Sequence, residues 1–251
     1  MRGALAQSRA QNVLITGLYG LRDIVLALPR LASLRAQYPD AKITMIAPSS
    51  ARDLLLRLRV ADTVRVLDDR SVMSVLAWGW WSRLRGAFDR VIHAAQLRES
   101  APPAWDKIAR DVSFIAPPAP YVLLALPEHL PVLRAAALLR KLEVMGIHSA
   151  LVGLRDTPAL DRLLKAAPDV RDLVGRVDLS DIPVLAAGAA AVIGGRDAMT
   201  ALAALSGART LILTQGEDEA VGQLPAANTV WLQSDDLSYL AVGDIIKAAI
   251  P

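Results

Sequence analysis

The chain has 251 residues, of which 53% are hydrophobic and 21% are charged, and it contains no cysteine. This composition can fill a core, which excludes a disordered chain, and the lack of cysteine excludes disulfides and cysteine-ligated metals. The 28 basic and 25 acidic residues leave a formal charge of +3, an excess too small to indicate a nucleic-acid partner. The three histidines lie far apart in sequence, so no metal site is predicted.

Targeting and membrane segments are not predicted. The N-terminal stretch MRGALAQSRAQ lacks the apolar core of a signal peptide, and no segment approaches the roughly 20 apolar residues of a membrane helix. A cytoplasmic protein is therefore expected. Trp78, Trp80 and Trp81 cluster beside Arg83 and Arg85. They are interpreted as core residues or, alternatively, as a peripheral contact with the inner membrane or a protein partner.

Short β-branched runs alternate with helical patterns along the chain, which predicts an α/β protein with parallel sheets covered on both faces. Strands are predicted at residues 13–16, 43–47, 63–67, 90–94, 121–125, 150–153, 191–194, 210–214 and 229–232. Helices are predicted near residues 23–37, 50–59, 71–86, 129–145, 157–166, 180–188, 197–206 and 236–249.

A proline-rich stretch interrupts this alternation at residues 101–120. The run APPAPY at 116–121 can continue neither a helix nor a central strand, and the strand–helix pattern restarts at Tyr121. Two Rossmann-like domains are therefore predicted, at residues 1–118 and 119–251. A single continuous sheet with a long excursion is the alternative.

The first predicted strand ends in a glycine turn with an acidic residue behind it. The apolar run breaks at Gly17 and Gly20, and the helical pattern restarts at Asp23. Asp23 is thereby placed at the carboxyl end of a strand, where open parallel sheets bind ligands. Its carboxylate is interpreted either as a helix N-cap or as a general base.

A second glycine turn follows the strand predicted at 191–194. Gly194 and Gly195 allow close approach of a phosphate to the backbone, and the following helix N-terminus favours an anion. Arg196 would add a charge-assisted contact. The alternative is an ordinary strand–turn–helix unit in which Asp197 is the cap.

Three stretches resemble the lipopolysaccharide heptosyltransferases, glycosyltransferase family nine. The first is GLRD at 20–23 with Leu-Pro at 28–29, where the family has Ser-Leu-Gly-Asp and Leu-Pro. The second is FDRVIHAAQLRES at 88–100, in which His93 stands where the family has Asp. The third is 173–214, which keeps the order of the family's elements but has GRDAMTA at 195–201 instead of Asp-Thr-Gly-Pro-Met-His. The family's Lys-Arg-Trp-Pro segment is absent from the sequence after residue 125.

The resemblance implies a GT-B type fold, with two parallel sheets facing across a cleft. It also implies an inverting, metal-independent and cofactor-free glycosyltransferase of lipopolysaccharide biosynthesis. Such an enzyme moves a sugar from a nucleotide-diphospho-sugar, ADP-heptose by analogy, to a glycolipid or glycan acceptor. The alternative is a non-catalytic relative that serves as a binding or assembly subunit.

The resemblance also assigns residues to roles, with Asp23 as the catalytic base. The first domain would hold the acceptor through Gly20, Arg22, His93 and Arg98. The second domain would hold the donor through Gly194, Gly195, Arg196, Asp197, Thr200, Gln215, Gly216 and Glu217. For His93 the alternative is a partly buried polar group with a backbone partner, and for the loop at 214–220 it is a charged surface loop.

Overall fold

The computed structural model describes residues 11–66, 87–98, 100–108, 112, 114–125, 130–154, 158–216 and 227–250. The chain divides into two compact units, Met1–Ile108 and Ala109–Pro251. Each unit contains one sheet whose paired strands are all parallel. The predicted α/β class with two parallel sheets is therefore confirmed.

Unit 1 is a four-stranded sheet with helices in its crossover connections. Its strands are β1 (Asn12–Thr16), β2 (Lys42–Ala47), β3 (Thr63–Val66) and β4 (Arg90–His93). They lie in the order β3-β2-β1-β4. The helices are α1 (Leu21–Gln37) and α2 (Ser49–Arg57), and 3-10 turns follow β4 at Ala94–Gln96 and Trp105–Ile108.

Strand β1 is central in this sheet and is buried along most of its length. Val13, Leu14 and Ile15 are at most 1% exposed, as expected for a strand of a parallel sheet covered on both faces. The amino ends of β1 and β4 are tied together by Asp89, whose Oδ2 accepts hydrogen bonds from the backbone N–H of Gln11 and Asn12 at 2.7 and 2.8 Å. Because the strands are parallel, their carboxyl ends form the opposite edge of the sheet.

Unit 2 is a six-stranded sheet that begins with Tyr121, where the strand–helix pattern restarts. Its strands are β5 (Tyr121–Ala125), β6 (His148–Val152), β7 (Arg171–Asp172), β8 (Ala191–Gly194), β9 (Thr210–Gln215) and β10 (Thr229–Ser234). They lie in the order β10-β9-β8-β5-β6-β7. The helices are α3 (Val132–Val144), α4 (Pro158–Ala166), α5 (Ile182–Gly188), α6 (Ala198–Leu205) and α7 (Val242–Ala249). Two 3-10 turns lie at Leu179–Asp181 and Leu237–Tyr239.

The core of unit 2 lies between its sheet and the helices. All five residues of β5 are buried, and α3 buries Ala135, Leu138, Leu139 and Leu142, which recur at the helical period and form one apolar face. Among the described residues, no helix combines the length and the hydropathy needed to cross a bilayer. The helix predicted at 71–86, with Trp78, Trp80 and Trp81, lies outside the described residues.

Candidate functional site

The turn between β1 and α1 presents an exposed carboxylate at the carboxyl edge of unit 1. Helix α1 begins at Leu21, and Gly20 occupies the N-cap position with no side-chain cap. Asp23 therefore lies in the first helical turn rather than at the cap, so the interpretation of Asp23 as the N-cap is wrong. Its side chain is exposed, and no hydrogen bond or ion pair to it is recorded within the described parts of the chain.

His93 lies against the same turn. Its Cα pairs in register with that of Thr16 at the carboxyl end of β4. The imidazole Nδ1 accepts a hydrogen bond from the backbone N–H of Ala95 at 3.3 Å, so the neutral ring carries its proton on Nε2. His93 therefore has the backbone partner that the alternative interpretation expected, but it is exposed rather than partly buried, because it is the last residue of β4.

Gly17 is required by this arrangement for two reasons. Its φ is +88°, a conformation that residues with a Cβ rarely adopt. A Cβ built on it would lie 2.4 Å from Nε2 of His93. The turn therefore brings the imidazole close to the backbone that leads into Gly20 and Asp23.

Two polar atoms in this region have no hydrogen-bond partner among the described residues. They are Oγ1 of Thr16, a residue only 3% exposed, and Nε of Arg22. Buried polar atoms in native proteins almost always have a partner, so this edge of unit 1 carries unsatisfied polar groups. Sequence reasoning missed Thr16, although a threonine that ends an aliphatic strand before a glycine turn could have indicated it.

In unit 2 the corresponding turn, between β8 and α6, is closed by the chain's own side chains. Asp197 is the N-cap of α6, and its Oδ1 accepts a hydrogen bond from the backbone N–H of Thr200 at 2.9 Å. Its Oδ2 accepts a second one from Oγ1 of Thr200 at 2.7 Å. Burial raises the pKa of Asp197, and the hydrogen bonds from Thr200 oppose that rise.

Gly194 packs against this cap. A Cβ on Gly194 would lie 2.0 Å from Oγ1 of Thr200 and 3.1 Å from Cβ of Ala125. Thr200 is fully buried, so the space beside the glycine is filled by the protein itself. Gly195 is buried and Arg196 is exposed. Donor binding by Gly194, Gly195, Arg196, Asp197 and Thr200 stays a prediction.

The end of the neighbouring strand β9 is also polar. Thr214 is 3% exposed, and its Oγ1 has no partner among the described residues. Gln215 is exposed, and Gly216 has a φ of +70°. Both polar groups of the Gly216 backbone are hydrogen-bonded. Its N–H donates to the carbonyl oxygen of Ser234, and its carbonyl oxygen accepts from Nε2 of Gln233. Glu217 lies outside the described residues.

Arg98 lines a pocket whose described lining does not include Asp23. It follows the 3-10 turn after β4 and lines a pocket together with Arg30 and Arg90. Gly20, Arg22 and His93 lie at the β1–α1 turn, and acceptor binding by these residues and by Arg98 stays a prediction. Within the described ranges, no group of three His, Asp or Glu side chains is arranged to hold a metal ion.

Two parallel Rossmann-like sheets in succession define a fold of the GT-B type, and solved structures share it. No protein-family model matches the chain, and no curated protein matches it. The structure of E. coli ADP-heptose lps heptosyltransferase II matches with a TM-score of 0.72 and 14% identity, over 94% of this chain and 97% of that one.

Two further structures show how widely this fold is used. The glycosyl transferase family 9 protein from Veillonella parvula matches with a TM-score of 0.68 and 13% identity, over 96% of both chains. A UDP-N-acetylglucosamine 2-epimerase matches with a TM-score of 0.57 and 12% identity, over 95% of this chain and 87% of that one. Identities this low show the fold alone, since one fold can carry different functions.

Proposed function

We propose that this chain is a glycosyltransferase of the heptosyltransferase type, which moves a sugar from a nucleotide-diphospho-sugar to a glycan or glycolipid acceptor. The observation that carries the proposal is the Asp23 carboxylate. It is exposed at the carboxyl end of β1, has no recorded partner within the described ranges, and lies in a fold shared end to end with a heptosyltransferase. A carboxylate with open lone pairs can accept a proton from a bound hydroxyl group.

The proposed reaction is a direct displacement with Asp23 as the general base. An oxygen of its carboxylate accepts the proton of the acceptor hydroxyl while the hydroxyl oxygen forms a bond to the anomeric carbon. The bond between that carbon and the diphosphate oxygen breaks, and its electron pair leaves with the nucleoside diphosphate. Attack from the side opposite the leaving group inverts the configuration at the anomeric carbon.

Other residues of unit 1 orient the acceptor in this proposal. The Nε2–H of His93 is directed by the bond between Nδ1 and Ala95, so it can donate a hydrogen bond to an acceptor oxygen at the β1–α1 turn. Arg22 and the backbone of Gly20 lie at the same turn. This makes unit 1 the acceptor side.

Unit 2 would bind the donor at the carboxyl ends of β8 and β9. Arg196 and the backbone of Gly195 would face the diphosphate, and Gln215 and Gly216 the nucleoside. Arg196 would stabilise the charge that develops on the leaving group, which is the kind of contribution that fixed cationic donors make in transferase sites. ADP-heptose is the first donor to test because the E. coli neighbour is named for it. A role in lipopolysaccharide biosynthesis at the inner membrane depends on that donor.

The test is a transfer and donor-hydrolysis assay on the whole chain with ADP-heptose, UDP-sugars and GDP-sugars. Asp23→Asn should lower turnover by about 10²- to 10⁴-fold, the range typical of a lost general base, while calorimetry shows unchanged donor affinity. Asp40→Asn is the matched control, since Asp40 is exposed in the same unit and lies two residues before β2, at the amino edge of the sheet. Full activity of Asp23→Asn would remove Asp23 from the reaction.

A second candidate function is that of a non-catalytic relative. The observation that favours it is the β8–α6 turn, where Asp197 already binds the N–H of Thr200 and Thr200 fills the space beside Gly194. In that case ADP, UDP and GDP should all fail to bind in a calorimetric titration. Saturable binding of any of them, weakened by Arg196→Ala, would favour the transferase instead.

A further inference from the structure

Unit 1 contains a basic pocket lined by residues of α1, of β4 and of the segment that follows β4. The pocket lies between α1 and β4 and has a volume of about 270 Å³. Among the described residues, its polar lining comprises three arginines, two glutamines and one tyrosine and includes no acidic side chain: Arg30, Arg90, Arg98, Gln37, Gln96 and Tyr38. We call it the α1–β4 pocket.

No described residue engages the guanidinium groups of the three pocket arginines by a hydrogen bond or an ion pair. Arg30, Arg90 and Arg98 are all exposed, and among the described residues none of them is recorded in a hydrogen bond or an ion pair. Arg90 makes one contact of another kind, with its guanidinium carbon 5.9 Å from the centre of the Tyr38 ring. That contact holds the side chain beside the pocket and leaves its N–H donors available.

Other arginines of this protein do stabilise the fold through hydrogen bonds, and two of them show the contrast with the pocket. Arg35, also on α1, donates to the carbonyl oxygens of Arg59 and Ala41 and pairs with Asp62 at 2.5 Å. Arg209 donates to the last carbonyl oxygens of α7. In both, the guanidinium N–H groups meet oxygen acceptors of the same chain, whereas the described lining of the pocket contains three arginines and no acidic residue.

Three like charges around one cavity repel one another, and an anion that enters the cavity removes that repulsion. A phosphate monoester carries nearly two negative charges at neutral pH and three terminal oxygens, and guanidinium groups bind phosphate oxygens in pairs. A carboxylate offers one charge and two oxygens, so it can satisfy fewer of the three arginines. The volume is below the roughly 300–1,000 Å³ of most ligand pockets, which suits one phosphorylated unit rather than a whole nucleotide-sugar.

We propose that the α1–β4 pocket is a binding site for a phosphate monoester. Asp23 is not among the residues that line it, and Arg30 lies seven residues further along α1, which is about 10 Å along the helix axis. The proposal therefore stands whether or not Asp23 takes part in sugar transfer.

The test is a calorimetric titration of the whole chain with inorganic phosphate, glycerol 3-phosphate and glucose 6-phosphate. Glycerol, glucose and acetate are the uncharged and carboxylate comparisons. Saturable binding of the phosphate compounds is expected, with weaker binding as the salt concentration rises. The double variant Arg30→Gln/Arg98→Gln should weaken binding at least tenfold, because it removes two charge-assisted contacts.

Two matched variants separate this site from other effects. Arg52→Gln removes one exposed positive charge from α2, outside the pocket, and should leave phosphate binding unchanged. Asp23→Asn should also leave it unchanged, so a failure of the transfer proposal and a failure of this one give different results. Thermal unfolding of each variant checks that unit 1 is intact.

A binding experiment with lipid vesicles distinguishes a soluble phosphate compound from a lipid headgroup as the ligand. Phosphatidylcholine vesicles containing phosphatidic acid present the same group on a lipid surface, and binding to them without binding of glycerol 3-phosphate would assign the pocket to a headgroup. The proposal is overturned if no phosphate compound and no such vesicle binds, if acetate binds as well as phosphate, or if Arg30→Gln/Arg98→Gln binds like the unchanged chain.

Discussion

The β1–α1 turn of unit 1 and the β8–α6 turn of unit 2 share one local design and differ in where the aspartate lies. In the second turn Asp197 is the N-cap, so both of its carboxylate oxygens are bonded within the first turn of α6. In the first turn a glycine is the N-cap, and Asp23 lies three residues later on the exposed face of α1. A carboxylate at the cap completes the helix, while a carboxylate in the first turn is left for solvent or a ligand.

The glycines of the two turns also differ in the exposure of the side chain against which each one packs. Gly17 has a positive φ and packs against the exposed ring of His93. Gly194 packs against the fully buried Thr200, which has no room to move. The glycine of the unit 1 turn therefore packs against an exposed side chain, and the glycine of the unit 2 turn packs against the core.

The largest expected effect is at Gly194. Gly194→Ala should lower the free energy of unfolding by about 2–3 kcal/mol, because the new Cβ overlaps Oγ1 of Thr200 and overpacks the core. Chemical denaturation of the whole chain measures it. Thr200→Ala in the same chain should recover part of the loss, since it removes the overlapping hydroxyl. Gly243→Ala, where a Cβ meets nothing within 4 Å, is the control, and an equal loss there would contradict the packing argument.

The next effect concerns the cap of α6. Asp197→Ala should lower the free energy of unfolding by about 1 kcal/mol, the usual value of a lost N-cap. Asp197→Asn keeps an acceptor for the N–H of Thr200 and should cost less. A loss of stability in Asp197→Asn as large as in Asp197→Ala would show that the negative charge, rather than the hydrogen bond, is what matters.

The pH dependence of Asp197 follows from the direction of its pKa shift. Burial raises the pKa in the folded protein above the ordinary value of 3.8, so the folded state favours the protonated group. The stabilisation that this gives is fully present below pH 3.8 and is lost as the pH rises through the higher folded value. We therefore expect the free energy of unfolding of Asp197→Asn to rise relative to that of the wild-type chain as the pH increases through the folded pKa of Asp197. Denaturation at several pH values measures this difference.

The smallest effect is expected at Asp23. Asp23→Asn removes only a favourable charge at the start of α1, and should change the free energy of unfolding by about 0.5 kcal/mol or less. The same denaturation experiment measures it beside Asp197→Ala. A loss as large as that of the cap variant would mean that Asp23 supports the fold, and the contrast between the two turns would fail.

Much of the secondary structure could be predicted because it depends on local patterns. The strands predicted at 121–125 and 191–194 have the bounds of β5 and β8, since apolar runs between turn residues are strong local signals. The two-residue strand β7 was not predicted, because so short a strand has no pattern of its own and forms only by pairing with β6.

The residues of the candidate sites were harder to predict. Helix α1 was expected to start at Asp23 and starts at Leu21, since a glycine can take the cap position that an acidic residue also favours. The α1–β4 pocket was not foreseen, because Arg30 and Arg90 are far apart in the sequence. They come together only when β4 pairs with β1 in parallel and lies beside α1.

The position of β4 in the sheet also bears on aggregation. In the part of the chain that the structure describes, β4 pairs with β1 on one side and ends the sheet on the other. An open strand edge is a template on which a second chain can add and begin to aggregate, and positive charge at such an edge discourages that addition. Arg90 is the first residue of β4, so it brings positive charge to this end strand and should discourage such pairing.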